Sequence, residues 1–293
     1  MKRLTVFFFG LLGLAFSAWA EPQGAVEAHP ALWHVAGPKG SATLLGSVHM
    51  LPENVHWQTA EIRKAAKEAD VMVFEVAIDA ATQARIAETV ATRGTLPEGT
   101  HLRDLLSPKA KANLARVLAA LNLPETAISN KQPWLVSLML DMAVMQQKKQ
   151  LTPGPDFVLL QSARADGKSI RYFETADEQL ALLAPADPKA ALQNLEQDLT
   201  SFDPSTDDVG EMTKAWEAGD MAGIDALLRK DFADYPKAKA LFFTDRNKAW
   251  VEKIAAMLQE KKKFFIVVGA GHLAGPEGVP ALLGAKGFAV VGP

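Results

Sequence analysis

The sequence predicts an α/β fold whose strands come from both ends of the chain, with a large helical insertion between them. Three observations lead there. Short continuous apolar runs, such as Val71-Met72-Val73-Phe74 and Phe264-Phe265-Ile266-Val267-Val268, suit strands of a sheet covered on both faces. The middle, from about residue 80 to 260, is mostly helical in texture. Finally, two apolar runs break at a glycine with a histidine three residues on: Gly46-Ser47-Val48-His49 and Gly269-Ala270-Gly271-His272. Open α/β sheets bind ligands beyond the carboxyl ends of their strands, so paired histidines in that place mark a candidate site.

Residues 1–20 read as a signal peptide. Lys2 and Arg3 precede an apolar stretch from Leu4 to Phe16, and Ala18-Trp19-Ala20 has the small-x-small pattern of a cleavage site. The apolar stretch is shorter than the roughly 20 residues a spanning helix needs. The expected product, residues 21–293, is a single exported domain, periplasmic or secreted, with no membrane span. Two of the 31 basic residues lie in the signal, leaving 29 against 34 acidic ones, a poor basis for holding nucleic acid. With no cysteine, disulfides, thiolate metal sites and cysteine nucleophiles are excluded, and any metal must be held by histidine and carboxylate.

Along the chain, residues 31–35 and 41–48 flank Gly37-Pro38-Lys39-Gly40 and predict a hairpin whose second strand delivers His49. Leu51 to Asn54 is expected as a loop, and residues 59–69, rich in Ala, Glu and Lys, as a helix. The next strand, 71–76, carries Glu75, a carboxylate among apolar residues that is costly unless paired or liganded. Ser107 with Pro108 opens a helix that Leu123-Pro124 closes. Residues 132–147 are apolar on nearly all sides and predict a buried helix or the flexible wall of a groove. Residues 152–156 should form a turn in which Asp156 caps the helix that follows. A strand over 169–174 ends on Glu174, with Thr175 and Glu178 placed for a capping box. The last long helix, about 243–260, puts Phe243, Trp250, Ile254 and Met257 on one face together with Arg246, an inward cation that requires an anion. The strand at 264–268, the His272 loop, a helix near 279–285 and a strand at 288–291 complete the chain.

The candidate site is therefore His49, Glu75, Glu174 and His272 at strand ends, with Arg246 from the helix before the last of them. Two neutral imidazoles and a carboxylate can hold a divalent metal whose bound water loses a proton near neutrality. A metal-free version needs one histidine as base, a carboxylate orienting it and the arginine as electrophile. Residue types alone do not choose between these. No Gly-x-Ser-x-Gly turn is present, which argues against a serine hydrolase. His29, His34 and His101 lack a matching context, and His56 is set apart only by its nearness to His49.

The segments Leu44 to Pro52, Glu75, Gly154-Pro155-Asp156, Phe173 to Gln179, Arg246-Asn247 with Trp250, and Val267 to Leu273 resemble the TraB/PrgY/GumN family. That family includes the Tiki proteins and is related to erythromycin esterase and the ChaN-like haem-binding proteins. The resemblance implies an EreA/ChaN-like α/β fold with a helical insertion. For Tiki-like members it also implies a peptidase using manganese or cobalt, with zinc a further candidate here. His49 and His272 then match the family's two motif histidines, Glu75 its strand glutamate and Arg246 its helix arginine. The roles expected here are His49 and His272 as metal ligands, Glu75 as third ligand or base, and Arg246 and Glu174 as oxyanion stabiliser and supporting acid. Pro155 beside Asp156 departs from the family pattern. The function expected is an exported, metal-dependent hydrolase of a peptide-like amide or ester bond. The alternative is a non-catalytic protein that binds or sequesters a peptide or haem.

Overall fold

The computed structural model describes residues 24–147, 151–184, 187–203 and 206–293; the expected signal peptide lies outside them. Among the described residues ten strands occur: β1 (Val26–Glu27), β2 (Leu32–Ala36), β3 (Ser41–Ser47), β4 (Met50–Pro52), β5 (Val55–His56), β6 (Val71–Phe74), β7 (Leu151–Pro153), β8 (Ser169–Tyr172), β9 (Lys263–Gly269) and β10 (Ala289–Val291). Six of them form one sheet in the order β10-β2-β3-β9-β6-β8. The fold is α/β, with a mixed sheet and many helices.

By compactness the chain divides into two units. One holds residues 24–77, 151–174 and 209–293, and with them the whole six-stranded sheet. Here β3, β9, β6 and β8 are mutually parallel, while β2 is antiparallel to both β3 and β10. The antiparallel pairing of β2 with β3 follows from the Gly37–Gly40 turn, which is too short for a crossover. The parallel strands are wholly apolar where they are central: all four residues of β6 and five of the seven of β9 are buried. They pack with the helix Asp245–Met257 through Trp250, Val251 and Ile254, and with Leu283 of the helix Val279–Ala285.

Several local expectations shift. The last long helix does not begin at Phe243: Tyr235 leads into a turn at Pro236–Lys239, a π-helical turn follows at Ala240–Thr244, and the α-helix continues from Asp245. Residues expected as loop and turn form β4 and β7, which pair antiparallel. Each has three residues and a proline, too little for a period-two pattern to register. Asp156 does not cap the helix Pro155–Ala165; Gly154 holds the N-cap position and Pro155 the first turn.

The other unit, with described residues 78–147, 175–184, 187–203 and 206–208, is mainly helical. Ser107 caps the helix Pro108–Leu121 and accepts the Ala110 N–H, and Thr175 and Glu178 form a reciprocal capping box. The apolar helix Pro133–Gln147 shares a core of Leu114, Val117, Val136, Leu140, Leu195 and Leu199 with Pro108–Leu121 and Pro188–Ser201.

Candidate active site at the carboxyl edge of the sheet

Because β3, β9, β6 and β8 are parallel and in register, their carboxyl ends share one edge: Ser47 stands opposite Gly269, and Phe74 opposite both Val267 and Tyr172. The pairing of β6 with β8 continues past the strands, since Phe173 N–H donates to Phe74 O (2.9 Å) and Glu174 N–H to Glu75 O (2.8 Å). Glu75 and Glu174 therefore leave the sheet side by side.

Two like charges in that position need a cation, and Arg246 supplies it. Its Nε donates to Glu174 Oε1 (2.7 Å), and its Nη2 donates to Glu174 Oε2 (2.8 Å) and Glu75 Oε2 (2.7 Å). Its Nη1 meets neutral acceptors, Phe242 O (3.0 Å) and His272 Nε2 (3.0 Å). All five guanidinium N–H groups are thus engaged. Trp250 adds an N–H to Glu174 Oε1 (2.8 Å), and its ring lies 4.7 Å from the guanidinium carbon. Gly269 N–H donates to Glu75 Oε1 (2.7 Å).

Burial favours the neutral form of Glu75, but the Arg246 charge and the Gly269 N–H outweigh it and hold the carboxyl down at about 2. Burial and then the Arg246 charge work together on His272, lowering it to about 3, so its imidazole is neutral. That ring is enclosed by Trp250 (centroids 4.3 Å apart) and Phe243 (4.9 Å). His272 Nδ1 lies 2.6 Å from Asn247 Oδ1.

His49 enters from beyond β3, close enough that a proton on it would act on both Glu75 and His272. Its Nδ1 is 2.7 Å from Asp156 Oδ2, with both side chains about 15% exposed. Ser47 binds the same carboxylate, donating its hydroxyl to Asp156 Oδ1 (2.9 Å) and accepting the Asp156 N–H (3.1 Å). The carboxylate also lies in the first turn of the helix Pro155–Ala165, where the helix dipole favours a negative charge. Gly154 makes this approach feasible: it donates its N–H to His49 O (2.7 Å), and a Cβ there would sit 1.7 Å from Val48 O.

The edge of the sheet thus gathers His49, Glu75, Glu174, Arg246 and His272, together with Asp156. Sequence reasoning favoured a capping role for Asp156 and assigned no role to Asn247 or Ser47, although all three lie in segments that carry the family resemblance. The one available signal was position, since Ser47 lies inside the first Gly-x-x-His and Asn247 next to Arg246. His56 is elsewhere, exposed and paired with Glu27 (2.9 Å) beside a groove of about 650 Å³ that Trp57 and Arg63 also line.

As placed, these donors do not suit a divalent cation. The His272 Nε2 lone pair faces a guanidinium N–H, and a cation at that point would stand against the Arg246 charge. Among the described residues no three His, Asp or Glu side chains converge as a metal-holding group.

Fold and site together define an α/β protein with a buried carboxylate–guanidinium–imidazole cluster beside a His–Asp pair. The sequence model of the TraB/PrgY/gumN family matches residues 31–291, and the chain belongs to that family. It is similar to the YbaP proteins of Shigella flexneri and Escherichia coli (strain K12), 25% identical to each over 267 residues, which are 90% of this chain and 96% of theirs. No solved structure matches the chain.

Proposed function

We propose that the protein is an exported hydrolase acting on an amide or ester bond of a peptide-like or other small-molecule substrate, with His49 as general base. The observation that carries this reading is the 2.7 Å contact between His49 Nδ1 and a carboxylate that is itself held by Ser47 and a helix amino end. With Nδ1–H donating to Asp156, the lone pair is on Nε2, the arrangement of an oriented base. His49 Nε2 takes a proton from water as the water oxygen adds to the carbonyl carbon. The tetrahedral species then expels the amine or alcohol, which recovers that proton from His49. Arg246 Nη1 is the arm for the developing oxyanion, because the N–H it turns to Phe242 O leaves only a neutral carbonyl, while its other N–H stays with His272 and Nε and Nη2 stay with the carboxylates. Export rests on Lys2, Arg3 and the apolar stretch behind them.

The test is hydrolysis of a panel of peptide amides and aryl esters by the mature chain. His49→Ala and Asp156→Asn should each lower kcat/KM by about 100-fold or more, whereas unchanged rates in both would reject the reading. Manganese, cobalt and zinc belong in the same assay. For a metal to bind through His49, His272 and Glu75, Arg246 would first have to leave His272; it would then supply a water of lowered pKa. Activity that survives chelation supports the metal-free route.

A second reading, a non-catalytic exported binder of a peptide or haem, draws on the internal saturation of Arg246. Saturable binding of a peptide, or a haem spectral shift, without any product would favour it.

A further inference from the structure

Asn247 is 2% exposed, follows Arg246 directly, and makes two polar contacts that the hydrolytic scheme does not use. Its Nδ2 donates to Glu277 O at 2.8 Å. A backbone carbonyl only accepts, so the amide must point its NH2 there and its oxygen toward His272. Asn247 Oδ1, 2.6 Å from His272 Nδ1, is likewise only an acceptor, so Nδ1 carries the proton. The other ring nitrogen faces Arg246 Nη1, which only donates, and this requires a lone pair on Nε2. Constraints from opposite ends of the ring demand the same tautomer. The result is one directed chain: Arg246 Nη1–H to His272 Nε2, His272 Nδ1–H to Asn247 Oδ1, and Asn247 Nδ2–H to Glu277 O.

We propose that Asn247 is a positioning residue that fixes His272 in its Nδ1–H tautomer, and that His272 serves as the acceptor orienting Arg246 rather than as a metal ligand or proton carrier. The tautomer assignment stands on hydrogen-bond geometry alone; its value to catalysis rests on the hydrolase reading. With an amide at 247 the imidazole can only accept from the guanidinium. A carboxylate there has no N–H for Glu277 O and draws a proton onto the ring, which would turn an Nε2–H toward Arg246 and push the guanidinium off its place. A leucine there leaves Nδ1 without its acceptor, and the tautomer is then favoured only from the Arg246 side, so the preference weakens.

Long-range 15N–1H correlation spectra of the full mature chain test this, with His272 assigned by loss of its signals in His272→Gln. At neutral pH the wild type should show the Nδ1–H pattern, unchanged on adding zinc. Asn247→Asp should move the ring to the doubly protonated pattern, and Asn247→Leu to a mixture of tautomers. In both variants kcat should fall at least tenfold with KM within about twofold, while Asn247→Gln should recover part of the loss. An Nε2–H pattern in the wild type, or a zinc-induced shift at His272 Nε2, would overturn the proposal. The wild-type spectrum decides even where a variant does not fold. The right tautomer in a protein that cleaves nothing would leave Asn247's role in place and reject the hydrolase reading alone.

Discussion

Arg246 shows most directly how single residues set this site. It is 8% exposed and answers two carboxylates, an imidazole and a carbonyl. Removing one partner of a buried ion pair leaves uncompensated charge, typically at about 3–5 kcal/mol. Arg246→Ala should therefore lower the unfolding free energy read from urea melts by an amount in that range, and Arg246→Lys should recover only part, since an ammonium lacks the planar fork. A variant as stable as wild type would mean that Glu75 and Glu174 do not depend on this partner. The inward arginine was legible in the sequence because it shares a helical stripe with Trp250 and Ile254, and an apolar face tolerates a cation only beside anions. Asp156 was not legible as His49's partner, because 107 residues separate the two and an acidic residue behind a proline reads equally well as a cap.

The elements explain that pairing. β4 and β7 pair antiparallel, and the chain leaving β7 passes so close to His49 that Gly154 has no room for a side chain. Gly154→Ala should cost more than the roughly 1–3 kcal/mol of ordinary overpacking, because the clashing atoms are backbone. It should also depress kcat/KM by separating Asp156 from His49. Gly284→Ala is the control: nothing lies within 4 Å of its Cβ, and it sits inside the helix Val279–Ala285, so it should raise stability by about 0.5–1 kcal/mol. Thermal melts of both, with equal shifts counting against the close approach, decide the point. Similarly, the π-helical turn at Ala240–Thr244 left no mark in the apolar period, although it immediately precedes the residues that meet His272. Such turns depend on which carbonyls find other donors, and here Phe242 O takes one from Arg246.

At the scale of the whole molecule, the buried cluster ties stability to pH. Glu75 is held at about 2 against an ordinary 4.5, so the stability it contributes is complete above 4.5 and is lost as pH falls toward 2. His272 lies at about 3 against 6.5, so between those values the unfolded chain takes up a proton that the folded one refuses. Its contribution is complete above 6.5 and is lost on the way down to 3. Both effects have the same sign: unfolding free energy should fall from pH 7 to 4, by at most about 1.4 kcal/mol per pH unit for each group. His272→Gln should flatten the profile between 6.5 and 4.5, and a wild-type profile already flat there would contradict a neutral buried imidazole. The sequence by itself determined the α/β class, the six strands of the main sheet and the carboxyl-edge positions of His49, Glu75, Glu174 and His272, because apolar runs, glycine turns and helical stripes are local signals. Only the tertiary structure decided that Asp156 faces His49, that Arg246 is fully engaged and that Asn247 faces His272. Those contacts join segments far apart in the chain, and the direction of a hydrogen bond is settled by what lies at each end of it.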